Sequence, residues 1–185
     1  SRRTFANGVR KSIAVNTGII ERKERQKQEM RDNILRAAWK LVSEEGWQSL
    51  SIRKIADAIE YSVPVVYDHF ENKEAILSEF NKQGFRLLSE KLQQAKQTRR
   101  KPARQLEAIA YAYWDFAFEN KEYYQLMFGL GMPGCDSVKT VPELMAFIEV
   151  IHTTIEQIVQ EYHNHKADVH LKVRSFWSMS HGLVS

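Results

Sequence analysis

The sequence predicts an all-α protein of about nine helices, with a small N-terminal three-helix unit followed by a larger helical region. Three observations lead there. Apolar residues recur at i, i+3, i+4 and i+7 in one segment after another, the spacing of a single helix face. Two short patterns of this kind stand back to back over residues 50–74, with almost nothing between them. A chain of 185 residues with 43% hydrophobic and 11% aromatic content can bury a substantial core, in one domain or two small ones.

The elements follow in order. Residues 1–20 show no sustained period and contain Asn7, Gly8, Asn16 and Gly18, so they read as a flexible arm. The other reading of residues 1–18 is an expression or processing remnant. From about Glu21 the residues favour helix, and Ile34, Ala38, Leu41 and Val42 form a stripe that Gly46 ends. Ser51 is a suitable N-cap for a helix with Ile52, Ile55, Ala56 and Ile59 on one face, leaving Glu60 and Tyr61 for the connection. Ser62 can cap the next helix, where an early Pro64 is tolerated because first-turn amides have no helical partner. Asn72 can cap a helix of more than twenty residues from Lys73, with Leu77, Phe80, Gly84, Leu88, Leu92 and Ala95 on one side.

The basic run Thr98-Arg99-Arg100-Lys101-Pro102 interrupts the pattern as a solvated loop. A helix with Leu106, Ile109, Ala110, Tyr113, Trp114, Phe116, Ala117 and Phe118 is apolar all round and should be central. Asn120 begins a shorter one carrying Tyr123, Tyr124, Leu126, Met127 and Phe128. The glycine-rich stretch from Gly129 lacks Gly-Lys-Ser/Thr and follows a helix, so it reads as a loop rather than a phosphate cradle. Leu144, Phe147, Ile148, Ile151, Ile155, Ile158, Val159 and Tyr162 form a clean stripe, and Val169, Val173, Phe176, Trp177, Leu183 and Val184 follow on a last helix. Two such helices can pair with their copies in a second subunit or finish a monomer core.

A helix, a tight turn and a second short helix make the helix-turn-helix pattern, whose second helix can enter a major groove. The run Ser51-Ile-Arg-Lys-Ile-Ala, then Ser62-Val-Pro-Val-Val-Tyr-Asp-His-Phe, then Asn72-Lys-Glu-Ala-Ile-Leu resembles the DNA-binding domain of the tetracycline-repressor-like (TetR) family of bacterial regulators. The likeness extends back to Glu44-Glu45-Gly46-Trp47 and covers roughly residues 28 to 80. Glu60 departs from it, standing where the family usually has glycine; a positive φ there implies strain on the order of 1 kcal/mol. Trp177-Ser-Met-Ser-His181-Gly182, with Tyr113 and Phe116 to Phe128, is similar to the Trp-His-Gly class of C-terminal domains in the same family.

What the residues offer can then be weighed. Ser62, Val63, Pro64 and Val65 open the second helix, where base edges are read; the two valines favour contact with thymine methyls. Arg53 suits guanine, or phosphate, or plain solvent. Ser51, Tyr67, His69 and Lys73 match positions that hold the DNA backbone in the family, as the resemblance implies, and each can supply a donor. The resemblance also implies an effector pocket, for which Trp114, Phe118, Tyr124, Met127, Phe128, Phe147, Trp177 and His181 are the candidates; taken singly, such aromatics also serve as core. His152, His163, His165 and His170 lack metal-site spacing, and no cofactor, metal or catalytic constellation is expected.

Net charge is +4, but its placement is uneven: residues 1–27 carry +6, the rest −2, and residues 28–75 alone −3. Long-range attraction to phosphate therefore falls largely to the N-terminal segment, which can follow the backbone or enter a minor groove. A single cysteine, Cys135, permits no intramolecular disulfide, and no apolar run approaches the roughly 20 residues of a membrane span, so the chain reads as cytoplasmic. The expected boundaries are a flexible basic arm over 1–20, a helix-turn-helix DNA-binding domain over 21–72, and an effector-binding and dimerisation domain over 73–185. The expectation is a repressor that binds a near-palindromic double-stranded operator as a homodimer through its last two helices, released by a largely apolar small molecule. An effector-independent activator or architectural DNA binder is the alternative, ahead of an all-α partner-binding module or enzyme.

Overall fold

The computed structural model describes residues 2–129, 142–164 and 166–184, with side chains from residue 18 onward. Cys135 and His165, and the expected glycine-rich loop beyond Gly129, lie outside the described residues. Eight α-helices are present among the described residues: α1 (Arg2–Glu45), α2 (Ile52–Ala58), α3 (Val63–Tyr67), α4 (Lys73–Gln97), α5 (Pro102–Glu119), α6 (Lys121–Phe128), α7 (Pro142–Glu161) and α8 (Val169–Gly182), with a 3-10 turn at Trp47–Ser49. The all-α class expected from the spacing is the class found. The chain divides into two compact units, Ser1–Ile76 and Leu77–Ser185.

The first departure from the sequence reading is α1, which begins at Arg2 rather than near Glu21. Residues 18–29 are all exposed, and burial begins in earnest at Ile34. Over residues 18–29 the helix is solvated on every side and needs no apolar stripe, so periodicity could not announce that stretch. Gly8 and Gly18 lower helix propensity by about 1 kcal/mol each relative to alanine, yet no proline precedes Pro64 to break the helix outright.

In the first unit Ile34, Ala38 and Val42 bury against Trp47, Leu50, Ile55, Ala56, Ile59, Val66 and Phe70. Gly46, at φ 81, ends α1 as expected, its amide bonding to the Val42 carbonyl at 2.7 Å. Trp39 meets Trp47 edge-on at 6.0 Å. Arg31 on α1 lies 4.1 Å over the Phe70 ring and donates to the His69 carbonyl at 2.9 Å, which fastens the residues after α3 to α1.

In the second unit α5 packs on α7, and α7 on α8. Phe80, Phe85, Leu88 and Leu92 of α4, Ile109, Tyr113 and Phe116 of α5, Met127 of α6, and Phe147 and Ile151 of α7 supply its core. Gly84 is required where α4 meets α6: a Cβ there would lie 2.5 Å from the Met127 sulfur. The expectation that α5 is enclosed all round fails. Tyr111, Trp114 and Phe118 are 68%, 42% and 49% exposed, because the arc through Ile109, Ala112, Tyr113, Phe116 and Ala117 takes the inward side.

Candidate functional site

The helical hairpin of the first unit is built by its caps. The Ser51 hydroxyl oxygen accepts from the Lys54 amide at 3.2 Å, fixing the start of α2. Its end is a Schellman turn, in which the Tyr61 amide bonds to the Ala56 carbonyl at 3.0 Å and the Glu60 amide to the Asp57 carbonyl at 3.2 Å. That turn places Glu60 at φ 60, the left-handed conformation in which glycine is free of strain. The connection is thus Ile59 to Ser62, longer than the two residues read from sequence. Ser62 makes no side-chain cap; its carbonyl instead accepts the Val65 amide at 3.0 Å. With only five residues, α3 depends on burial of Val66, which is 0% exposed.

This construction leaves Arg53, Ser62 and Pro64 exposed, Tyr67 51% exposed, and Ser51, Val63, Val65 and Lys73 half-buried. His69 is half-buried as well: its carbonyl is taken by Arg31, and its Nδ1 is buried without a hydrogen-bond partner, so any phosphate contact must come from Nε2. One pairing has no signal in the sequence. Lys54 bonds Glu45 at 2.6 Å, joining α2 to the end of α1; nine residues of separation across a turn give no helical spacing to find it by.

The second unit gathers several of the expected pocket residues. Tyr124 and Phe128 are 4.9 Å apart, Phe128 lies 6.2 Å from Trp177 and 5.5 Å from His181, and Tyr124 lies 5.7 Å from His181. A polar chain threads the rings: the Tyr113 and Tyr124 hydroxyls are 3.3 Å apart, and the Tyr124 hydroxyl is 2.5 Å from His181 Nδ1. Burial, with the hydrogen bond to Tyr124, pushes the Tyr113 phenol well above its ordinary range; burial likewise raises Tyr124. Phe147 joins through Tyr113 at 6.3 Å.

Two expected members do not join. Trp114 and Phe118 stack on each other at 5.6 Å on the exposed side of α5, one turn apart and away from its buried arc. Met127 is buried, its sulfur against Gly84. Conversely Phe85, 5.6 Å from Phe128 and 6.0 Å from Phe147, and Tyr113 belong to the cluster. The stripe Phe85, Leu88, Leu92 could have disclosed Phe85. Separately, an open groove of about 550 Å³ lies along α7 and α8, lined by Leu106, Ile155, Val159, Leu171, Phe176 and Met179 among others.

Comparison with known proteins bears on both units. Residues 34–80 match the bacterial regulatory proteins of the tetR family, and residues 106–185 match the tetracyclin repressor-like C-terminal domain. The chain belongs to the TetR family. A curated relative, the HTH-type transcriptional regulator YobS of Bacillus subtilis, is 29% identical over 92 residues, 50% of this chain and 48% of YobS. This TetR-family chain thus spans about half the length of the curated relative it matches. Among solved structures, the TetR family transcriptional regulator PfmR of Thermus thermophilus is similar at TM-score 0.63 and 25% identity, over 83% of this chain and 84% of that one. The transcriptional regulator FadR of Bacillus subtilis, solved with stearoyl-CoA, shares the fold at TM-score 0.66 and 16% identity, over 82% and 83% of the two chains. These relatives are regulators, which points away from catalysis for the TetR-family chain. No helix among its described residues is long and apolar enough to cross a membrane, and no group of three metal-ligating side chains occurs among them.

Proposed function

We propose that this TetR-family chain is a sequence-specific DNA-binding transcriptional repressor, released from a near-palindromic operator when a small molecule binds its C-terminal unit. The observation that carries the proposal is the hairpin of α2 and α3, with its capped start, its Schellman turn and the exposed Arg53, Ser62, Pro64 and Tyr67. Val63, Pro64 and Val65 at the head of α3 give modest base preference, while Ser51, Tyr67, His69 and Lys73 hold phosphates. Two copies joined through α7 and α8 multiply that preference by presenting two such helices about 34–36 Å apart, or a multiple of that. The apolar groove on those helices, with Leu171 54% and Met179 64% exposed, supports the pairing.

Release is a population shift. An effector held among Tyr124, Phe128, Phe147, Trp177 and His181 favours one arrangement of the second unit, and a coupling of about 1–3 kcal/mol weakens operator binding 5- to 150-fold. That FadR, of the same fold, was solved with stearoyl-CoA supports a regulator that answers to a small molecule. The test is selection of bound sequences from random DNA by the purified protein. A two-fold symmetric consensus is expected; enrichment of no sequence, or of an asymmetric one, overturns the proposal of a dimeric operator-binding regulator.

A further inference from the structure

Two histidines whose places in the sequence give no metal-site spacing are brought together by the pairing of the last two helices. His152 of α7 and His170 of α8 have ring centres 5.1 Å apart, with the ring planes tilted by 46°. Neither belongs to the core: His152 is half-buried and His170 exposed. No hydrogen bond joins either ring to another described residue, so their nitrogens are free to take a ligand.

The separation itself names a ligand. Zinc–nitrogen bonds of about 2.0–2.1 Å set each imidazole centre about 3.2 Å from a shared ion, and a tetrahedral angle at the ion then puts the two centres about 5.2 Å apart. A right angle, as in octahedral or square-planar sites, would bring them to about 4.5 Å. The observed spacing is the tetrahedral one, and neutral imidazole is a ligand that zinc takes readily. We infer that His152 and His170 hold a zinc ion that bridges α7 to α8. No group of three metal-ligating side chains occurs among the described residues, so water completes the shell. The bridge has mechanical work to do. In the fourteen residues of α8 only Val173 is buried, and a short helix draws its stability from packing, so an ion shared with α7 adds to a hold that is otherwise slight. The site uses none of the rings of the effector reading and stands or falls apart from it.

The test uses the full chain, stripped of metal by a chelator and titrated with zinc chloride, read by calorimetry and by the imidazole C–H resonances of the histidines. Zinc should bind and move the resonances of His152 and His170, identified with His152→Gln and His170→Gln. Each of these variants should bind zinc at least about tenfold more weakly, since even the partners that orient a metal ligand are worth about 10- to 100-fold in affinity. Both positions reach the surface, so without zinc the variants should melt close to the unaltered protein. The double variant His163→Gln, His165→Gln, which removes the histidines between the two helices in the sequence, should bind zinc as the unaltered protein does. Zinc should also slow amide exchange over Val169–Gly182, and should not do so in His170→Gln. Any one of four results overturns the inference: no binding at millimolar zinc, unchanged affinity in His152→Gln or His170→Gln, loss of binding in the double variant, or exchange over α8 that zinc leaves unmoved.

Discussion

Glu60 carries the clearest residue-scale cost in the described structure. It occupies the left-handed conformation at φ 60 because the Schellman turn between α2 and α3 needs that geometry, and a side chain there is strained by about 1 kcal/mol. Glu60→Gly should therefore stabilise the protein, by somewhat less than that because glycine is also freer in the unfolded chain; a urea melt with a higher midpoint and unchanged slope would show it. Tyrosines set a second residue-scale expectation. Burial pushes the Tyr123 phenol up to about 12, and Tyr113 is raised in the same direction. A raised folded-state value means that the neutral form is favoured by folding, so this stability is intact below about pH 10 and is lost as pH climbs from about 10 towards 12. Tyr123→Phe should flatten that alkaline decline in a series of melts across the same range.

At the scale of elements, the meeting of α4 with α6 hangs on one missing side chain. Gly84→Ala places a carbon 2.5 Å from the Met127 sulfur, and overpacking of this kind costs about 1–3 kcal/mol. Combined with Met127→Ala, the substitution should cost less than the two single losses together, a coupling that a double-mutant cycle measures directly. Elements are also where the sequence is most legible. Stripes such as Ile34, Ala38, Val42 on α1 and Leu144, Phe147, Ile151, Ile155 on α7 are the buried faces, and the caps at Ser51 and Asn72 form as read, the latter accepting from the Ala75 amide at 2.8 Å. Legibility stops where spacing loses its meaning. Trp114 and Phe118 look like core by composition, but a helix packed on one side exposes the opposite arc whatever stands there. The ring cluster is half visible for the same reason: Tyr124, Phe128, Phe147, Trp177 and His181 can be picked by type, and Phe85 lies on a readable stripe of α4, while their meeting is made by contacts between helices that no single-helix period contains.

For the whole molecule, charge placement governs the response to salt. Residues 1–20 hold Arg2, Arg3, Arg10 and Lys11, while residues 28–75 are net −3. Removing residues 1–20 should flatten the dependence of operator affinity on salt, by as much as about 0.9 log units per log unit of salt for each phosphate that the segment neutralises. Equal slopes with and without the segment would show that its cations touch no phosphate. The family is legible because its motif residues stand at fixed spacing; an operator and an effector depend on how half-exposed side chains meet a second molecule, which no periodicity encodes.

One last consequence follows from α1. Its residues 18–29 are exposed throughout, with Ile19 and Ile20 at 49% and 55%, whereas from Ile34 the same helix is buried against the hairpin. Helices draw most of their stability from tertiary packing, so one uninterrupted run of hydrogen bonds holds two regimes of local stability. Hydrogen exchange along α1 should accordingly be fast over 18–29 and slow from Ile34 to Val42, with the break falling inside the helix. Bound operator should slow the first stretch if its cations lie on DNA.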